Sequence, residues 1–270
     1  MAKSCRRRLL ILTQHYRPEP NFITADVAES LVSEFDVTVV TAHPNYPEGQ
    51  FYSGVRAWRP DKRVEQGVTV WRLPIYPYHG RSHLKRCFSY LSFALMAAIW
   101  APLVVARPHV VWTYHGPFTT GLAAIWFRLL GSRVIFTCAD LWPESFLAAR
   151  VADPGLVMRL MFSYSRRINR VAHRLVCSTR GTMRRYAADG LPASSLCYVP
   201  VWVEGAQSDM QDPSVVTDSV PRIVYAGNLG PAQNLETLIK AAGELYRQEY
   251  LVAFEVYGTG ASDKELRELA

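Results

Sequence analysis

The sequence predicts an α/β chain of parallel sheets covered by helices, arranged in two parts of unequal size. Three observations carry this. Short β-branched apolar runs alternate with longer amphipathic stretches from the N-terminus onward. The alternation stops after Val199-Pro200, where 205–218 is polar and cannot bury much surface. A fresh strand–loop–helix–strand unit then begins at Arg222. The expected organisation is a first domain over 1–200, a linker over 201–220 and a second domain over 221–270.

Strands are expected at 8–13, 36–41, 69–73, 109–113, 133–137 and 174–178, with helices between them. The first helix is expected over 23–34, because Val27, Leu31 and Phe35 recur every four residues as one apolar stripe. Pro18-Glu19-Pro20-Asn21 ahead of it reads as a turn. Beyond the linker come a strand at 222–226, a loop at 227–233, a helix to Arg247 and a strand at 252–257. Two strands do not make an independently stable layer, and the chain stops within a helix at Glu268-Leu269-Ala270. The second domain is therefore expected to be incomplete.

Of 270 residues 49% are apolar, enough for a sizeable core. A formal charge of +7 admits nucleic acid, an anionic membrane or a phosphorylated substrate as partner. Placement excludes the first, because the basic groups at Arg6 to Arg8, at Arg81, Lys85 and Arg86, and at Arg166, Arg167, Arg170 and Arg174 lack interleaved base-reading aromatics. The last group reads as solvated helix faces. Five scattered cysteines, with no C-x-x-C pair or histidine at metal spacing, point to a reducing cytosol and to no metal site. Leu9 to Leu12 behind the basic start is shorter than the roughly 7 to 15 residues of a secretion signal core. It reads as a first buried strand.

The apolar run 88–106 is long enough to cross a bilayer. Ser89, Tyr90, Ser92, Pro102 and the return to strand at His109 favour a crossover helix instead. Its basic shoulder at 81–86, with Phe88, Tyr90 and Phe93, suits a helix lying against anionic headgroups; a core helix with a solvated basic end fits equally well. The expected location is cytoplasmic, peripheral on the inner face of the cytoplasmic membrane under the first of these readings.

Four motifs occur in a familiar order: Gln14-His15-Tyr16-Arg17-Pro18-Glu19-Pro20, Pro44-Asn45-Tyr46-Pro47, Asp140-Leu141-Trp142-Pro143-Glu144-Ser145 and Tyr225-Ala226-Gly227-Asn228-Leu229-Gly230. Together they resemble the family 4 retaining glycosyltransferases that build bacterial exopolysaccharide, capsule and O-antigen, including fucosamine and colanic-acid fucose transferases. The resemblance implies a GT-B fold of two Rossmann-like domains, the second incomplete here. It also implies an acceptor held by the first domain, lipid-linked or a growing glycan, and a UDP- or GDP-linked sugar held by the second. The motifs follow strands, where open parallel sheets bind ligands.

For the acceptor side the expected residues are Asn45, Tyr46 and Glu144, with a structural role for Glu144 as the alternative. Asp140 and His115, in strand-end loops, are the candidates for orienting or deprotonating the acceptor hydroxyl, and neither is assigned a covalent role. For the donor side the resemblance points to Gly227, Asn228, Gln233, Gly258 and Gly260. Relatives commonly carry Arg and Lys where Asn228 and Gln233 stand, so the helix N-terminus at 232–235 must bear more of the diphosphate charge. Relatives commonly have glycine near 21–24, where Phe22 and Ile23 stand here, and the late Glu-x7-Glu pair is not found; Glu236 and Glu244 share its spacing but come too early. No Asp-x-Asp is present, so transfer without metal or other cofactor is expected. The competing readings are a truncated, inactive remnant or acceptor-binding half, and a nucleotide-sugar epimerase of the same fold.

Overall fold

The computed structural model describes residues 6–20, 22–80, 82–114, 118–148, 155–202 and 220–270. They form two compact units. In the first, β1 (Arg7–Leu12), β2 (Phe35–Ala42), β3 (Asp61–Glu65), β4 (Val68–Leu73), β5 (Val110–Tyr114), β6 (Arg133–Cys138), β7 (Arg174–Cys177) and β8 (Leu196–Tyr198) make one sheet. Its order is β3-β4-β2-β1-β5-β6-β7-β8. Neighbouring strands are parallel except β3 and β4. The chain winds outward from β1 through β2 and β4, then returns to lay β5 on the other side of β1. The strand order reverses at β1, and it is at the carboxyl edge beside such a reversal that open parallel sheets take their ligands.

A strand covered on both faces needs apolar side chains on both, and β1 supplies them without a break. Leu10 and Leu12 pack with Val40, Phe93, Phe127 and Phe136 on one face. Leu9 and Ile11 pack with Ala25, Ala28, Val37 and Val39 on the other. The six expected strands lie within a residue or so of their observed bounds, because each is such an apolar run.

Among the described residues the helices α1 (Phe22–Ser30), α2 (His83–Val104), α3 (Leu122–Leu129), α4 (Glu144–Ala148), α5 (Leu156–Asn169) and α6 (Arg180–Ala188) alternate with these strands, and α4 from Phe146 onward is grouped with the second unit. The start of α6 is fixed by Thr179, whose hydroxyl accepts from the Thr182 amide at 3.0 Å. α1 is shorter than 23–34, and its most buried residues are Thr24, Ala25 and Ala28 rather than the stripe of Val27, Leu31 and Phe35. Phe35 is already in β2, paired with Arg7. Small side chains let the helix sit close on the sheet, and the turn at 31–34 brings the chain back into it.

Two strands, β3 and β8, have no counterpart among the expected ones. β3 and β4 form a hairpin whose turn residues Gln66 and Gly67 both have left-handed backbone, φ 48° and 81°. That is the conformation a tight hairpin of right-twisted strands demands. Charged Asp61-Lys62-Arg63 hides β3 because an edge strand need not be apolar. β8 is only 3 residues long.

α2 is the crossover from β4 to β5. It buries Phe93, Ala94, Ala97 and Ala101 on the core, while Leu84, Phe88, Leu91, Leu95, Ile99 and Leu103 stay exposed. By length and composition Leu84–Val104 would suffice to cross a membrane. One face is nevertheless part of the sheet's packing.

In the second unit β9 (Arg222–Ala226) and β10 (Ala253–Tyr257) pair in parallel beside α7 (Leu235–Arg247) and α8 (Asp263–Leu269). Leu229, Leu235 and Leu266 are its buried apolar residues. Ile223, Val224, Val256 and Tyr257 remain exposed on the small sheet. Most of the expected linker, 203–219, lies outside the described residues.

The two faces of α2 differ in what they contribute to folding. Phe93→Ala is expected to destabilise the first unit by about 3–5 kcal/mol, and Leu95→Ala by no more than about 0.5 kcal/mol, in urea unfolding.

Candidate functional site

The loops that follow β1 and β2 are joined by one carboxylate. Glu19, 3% exposed, accepts from the Asn45 and Tyr46 amides through Oε1, each at 2.7 Å. Through Oε2 it meets the Tyr16 amide at 3.2 Å and His15 Nδ1 at 3.1 Å. A buried carboxylate is tolerable only when its lone pairs are met in this way. The Pro-Glu-Pro turn thus ties the His15 loop to the Asn45-Tyr46 loop.

His15, Tyr46 and His79 then form an aromatic cluster. The His15 ring centroid lies 5.2 Å from that of Tyr46 and 5.4 Å from that of His79, and Tyr46 meets His79 edge-on at 4.8 Å. Burial, with help from neighbouring His15 and Arg86, pushes the His79 imidazole down to about 4, so it is neutral at physiological pH. Gly49 has φ +71°, and a Cβ there would collide with the His79 backbone nitrogen, so only glycine lets the 44–52 loop close on residues 78 and 79. Asn45 is fully buried, its amide nitrogen donating to the His43 carbonyl at 2.8 Å. Tyr46, 38% exposed, is the member of that pair that faces solvent.

Asp140 follows β6 and is open to solvent on one side. Desolvation by the surrounding protein raises its carboxyl from the ordinary carboxylate value, and burial first, then the Asp140 charge, raises the phenol of Tyr114 at the end of β5. His115, next in the chain, lies outside the described residues. Glu144 opens α4 and pairs with Arg185 of α6 at 3.2 Å. Its carboxylate therefore has a partner within the first unit.

In the second unit the expected donor residues gather around one loop. Side chains of Asn228 and Gln233 converge over Gly230, where an added Cβ would lie 2.8 Å from Asn228 Nδ2 and 2.9 Å from Gln233 Oε1. Tyr225 closes the loop by donating its hydroxyl to the Asn228 carbonyl at 2.8 Å. Gly227 and Leu229 donate their amides to Tyr257 and Thr259, both at 2.9 Å. Cβ atoms at Gly258 and Gly260 would strike the backbones of Gly227 and Leu229 respectively. Those glycines therefore serve first to let two strand-end loops interlock. α7 starts behind left-handed Asn234 with no side-chain cap, so its first amides have no partner from that residue's side chain.

A doubly wound parallel sheet with a strand reversal at β1, followed by a second α/β unit, defines the GT-B class. Three solved structures share the fold. HepE of Anabaena, in complex with UDP and glucose, aligns with TM-score 0.55 and 12% identity over 98% of this chain and 65% of its own. The α,α-trehalose 6-phosphate synthase of Burkholderia multivorans gives 0.59 and 14% over 97% and 67%. The UDP-N-acetylglucosamine 2-epimerase of Rickettsia bellii gives 0.51 and 13% over 97% and 64%.

Residues 20–202 match the glycosyl transferase 4-like domain, and the chain belongs to that family. It is 30% identical over 283 aligned positions to WcaI of Escherichia coli strain K12, whose name assigns it provisionally to glycosyl transfer in colanic acid biosynthesis. The alignment covers 97% of this chain and 68% of WcaI. The chain thus spans about two thirds of the length of these proteins, and slightly less for HepE at 65% and the epimerase at 64%.

Reading the sequence singled out the loops but missed Glu19 and His79. Glu19 lies between two prolines, where an acidic residue ordinarily faces solvent; only its 26-residue reach to Asn45 reveals its role. Glu19→Gln would put an amide donor against the Tyr16 amide. It is expected to cost about 1–3 kcal/mol in thermal or urea unfolding, more than Glu144→Gln.

Proposed function

We propose that the chain is the acceptor-binding domain and the opening part of the donor domain of a glycosyltransferase. On this reading it moves a sugar, with retention, from a UDP- or GDP-linked donor to a lipid-linked or polysaccharide acceptor in surface-glycan synthesis. The boundary between the domains falls at 201–220. The observation that carries the reading is family membership over 20–202, set on a sheet whose strand-end loops after β1, β2 and β6 hold the motif residues. The name of the colanic acid relative supports the exopolysaccharide setting. The fucose or fucosamine subgroup is the finer form of the proposal, carried by the resemblance of the four motifs.

In the transfer step the bond from the anomeric carbon to the diphosphate oxygen breaks, and its electron pair leaves with the diphosphate. The acceptor oxygen bonds to that carbon as its proton passes to a carboxylate or to the departing phosphate. Asp140 is the carboxylate assigned here, with His115 as its partner in orienting the hydroxyl. Asn228 and Gln233 offer neutral donors to the diphosphate, and the amides opening α7 add the helix N-terminal dipole. This arrangement calls for no metal.

Asp140 must be ionised to accept a proton, and its surroundings raise its carboxyl. Transfer should therefore decline, as pH falls, above the range where an ordinary carboxylate would protonate. Asp140→Asn is expected to lower kcat by about 10²-fold or more and to remove that acid limb, with donor KM little changed. Loss of kcat with the limb intact would move the role to another group.

The exposed apolar face of α2 supports peripheral attachment to an anionic bilayer. Leu84, Phe88, Leu91, Leu95, Ile99 and Leu103 stand along roughly 33 Å of helix. Trp126, Leu129 and Leu130 are exposed on and just beyond α3, which packs beside α2. Exposed Lys85, Arg107 and Arg128 accompany the apolar face, so a second copy would bring like charges together whereas anionic headgroups would neutralise them. The chain should co-sediment with phosphatidylglycerol vesicles and much less with phosphatidylcholine. Leu91→Gln with Leu95→Gln should weaken this by about tenfold or more. Equal binding to both lipids, or a dimer that ignores vesicles, would overturn the attachment.

A further inference from the structure

A recess of about 780 Å³ lies at the carboxyl edge of the first sheet, between the ends of β1 and β2, the 52–59 loop and the β3–β4 hairpin. We propose that it binds an oxyanion carried on a saccharide, either a carboxylate or a phosphate, with Arg56 and Arg59 as the recognising groups. The assignment rests on the reading of this unit as the acceptor side, and it gives that acceptor an acidic character.

The charge in the recess does not cancel. Five arginines line it, Arg17, Arg56, Arg59, Arg63 and Arg72, against two carboxylates, Asp61 and Glu65. Both carboxylates are engaged: Glu65 takes both arms of Arg72 at 2.7 and 2.9 Å, and Asp61 takes Arg63 at 2.7 Å. Arg17 turns to Asp26 and Glu29 of α1, at 3.5 and 3.2 Å. Among the described residues Arg56 and Arg59 have no carboxylate within ion-pair distance, and both are exposed.

Their position is built rather than incidental. Arg59 donates its amide to the Arg56 carbonyl at 3.4 Å, which curls the loop so that the two side chains leave from one turn. The Arg59 carbonyl meets Nε2 of buried His43 at 2.8 Å. Burial pushes that imidazole down, so it stays a neutral donor at physiological pH and anchors the turn without adding charge. The Arg59 guanidinium sits 5.3 Å over the Trp58 ring, which restrains its fork. Planar forks of this kind match carboxylate and phosphate geometry. A single small anion would fill little of 780 Å³, which is the size class of a substituted saccharide.

The test is calorimetric titration of the 270-residue chain with inorganic pyrophosphate, trigalacturonate and neutral maltotriose, at low and high ionic strength. It needs neither donor nor transfer, so its failure is distinct from failure of the transferase reading. At least one anionic probe should bind, weaken with salt, and lose about tenfold or more in affinity in Arg56→Gln/Arg59→Gln, with circular dichroism unchanged. Binding of pyrophosphate alone would identify a phosphate-bearing acceptor, and of trigalacturonate alone an acidic sugar. Maltotriose binding as tightly as the anions, no binding of either anion, or a double variant that binds them as well as the parent would overturn the proposal.

Discussion

A carboxylate removed from water must be met by donors, and Glu19 meets that demand with the backbone of two loops that are remote in sequence. The Asn45 and Tyr46 amides cannot move far without exposing a buried charge, so the loop after β2 is held to the loop after β1. The aromatic cluster of His15, Tyr46 and His79 is a consequence, since its members come from segments that Glu19 and Gly49 bring together. Arg17, in the same turn, reaches α1 and the arginine recess from a fixed origin. Stability and site geometry here rest on the same few hydrogen bonds.

The same economy is seen in the second unit, where Gly258 and Gly260 allow one strand-end loop to lie on the backbone of another. The closeness that glycine permits is used by protein before any ligand. Around that interlock stand the neutral side chains of Asn228 and Gln233 and the start of α7, the groups the proposed function gives to the diphosphate. A site with this composition relies on oriented dipoles more than on fixed charge.

Much of the fold was legible because a parallel sheet covered on both faces writes itself as apolar runs, and Leu9 to Leu12 is the clearest case. The pattern failed where burial stops deciding the residue. β3 is charged because it is an edge, and α1 ends early because the return into β2 needs Phe35 as strand. The motif loops were legible by position, but not the division of labour within them. Asn45, expected to meet the acceptor, has no exposed surface, and Glu144 pairs with Arg185; Glu19, which had no expected role, ties the two loops together. Such roles depend on contacts across 26 or 41 residues, which local pattern does not encode. The apolar run that suggested a lipid-facing helix proved double-sided, serving the core through Phe93 and leaving Leu95 outside.

The borders of the large sheet carry a further consequence. One border is β3, antiparallel and bearing Lys62 and Arg63; the other is β8, 3 residues long. Neither offers the long, flat, apolar template on which a strand from another chain could zip. At high local concentration neither border of this unit favours the fibrillar route by which naked sheet margins recruit one another.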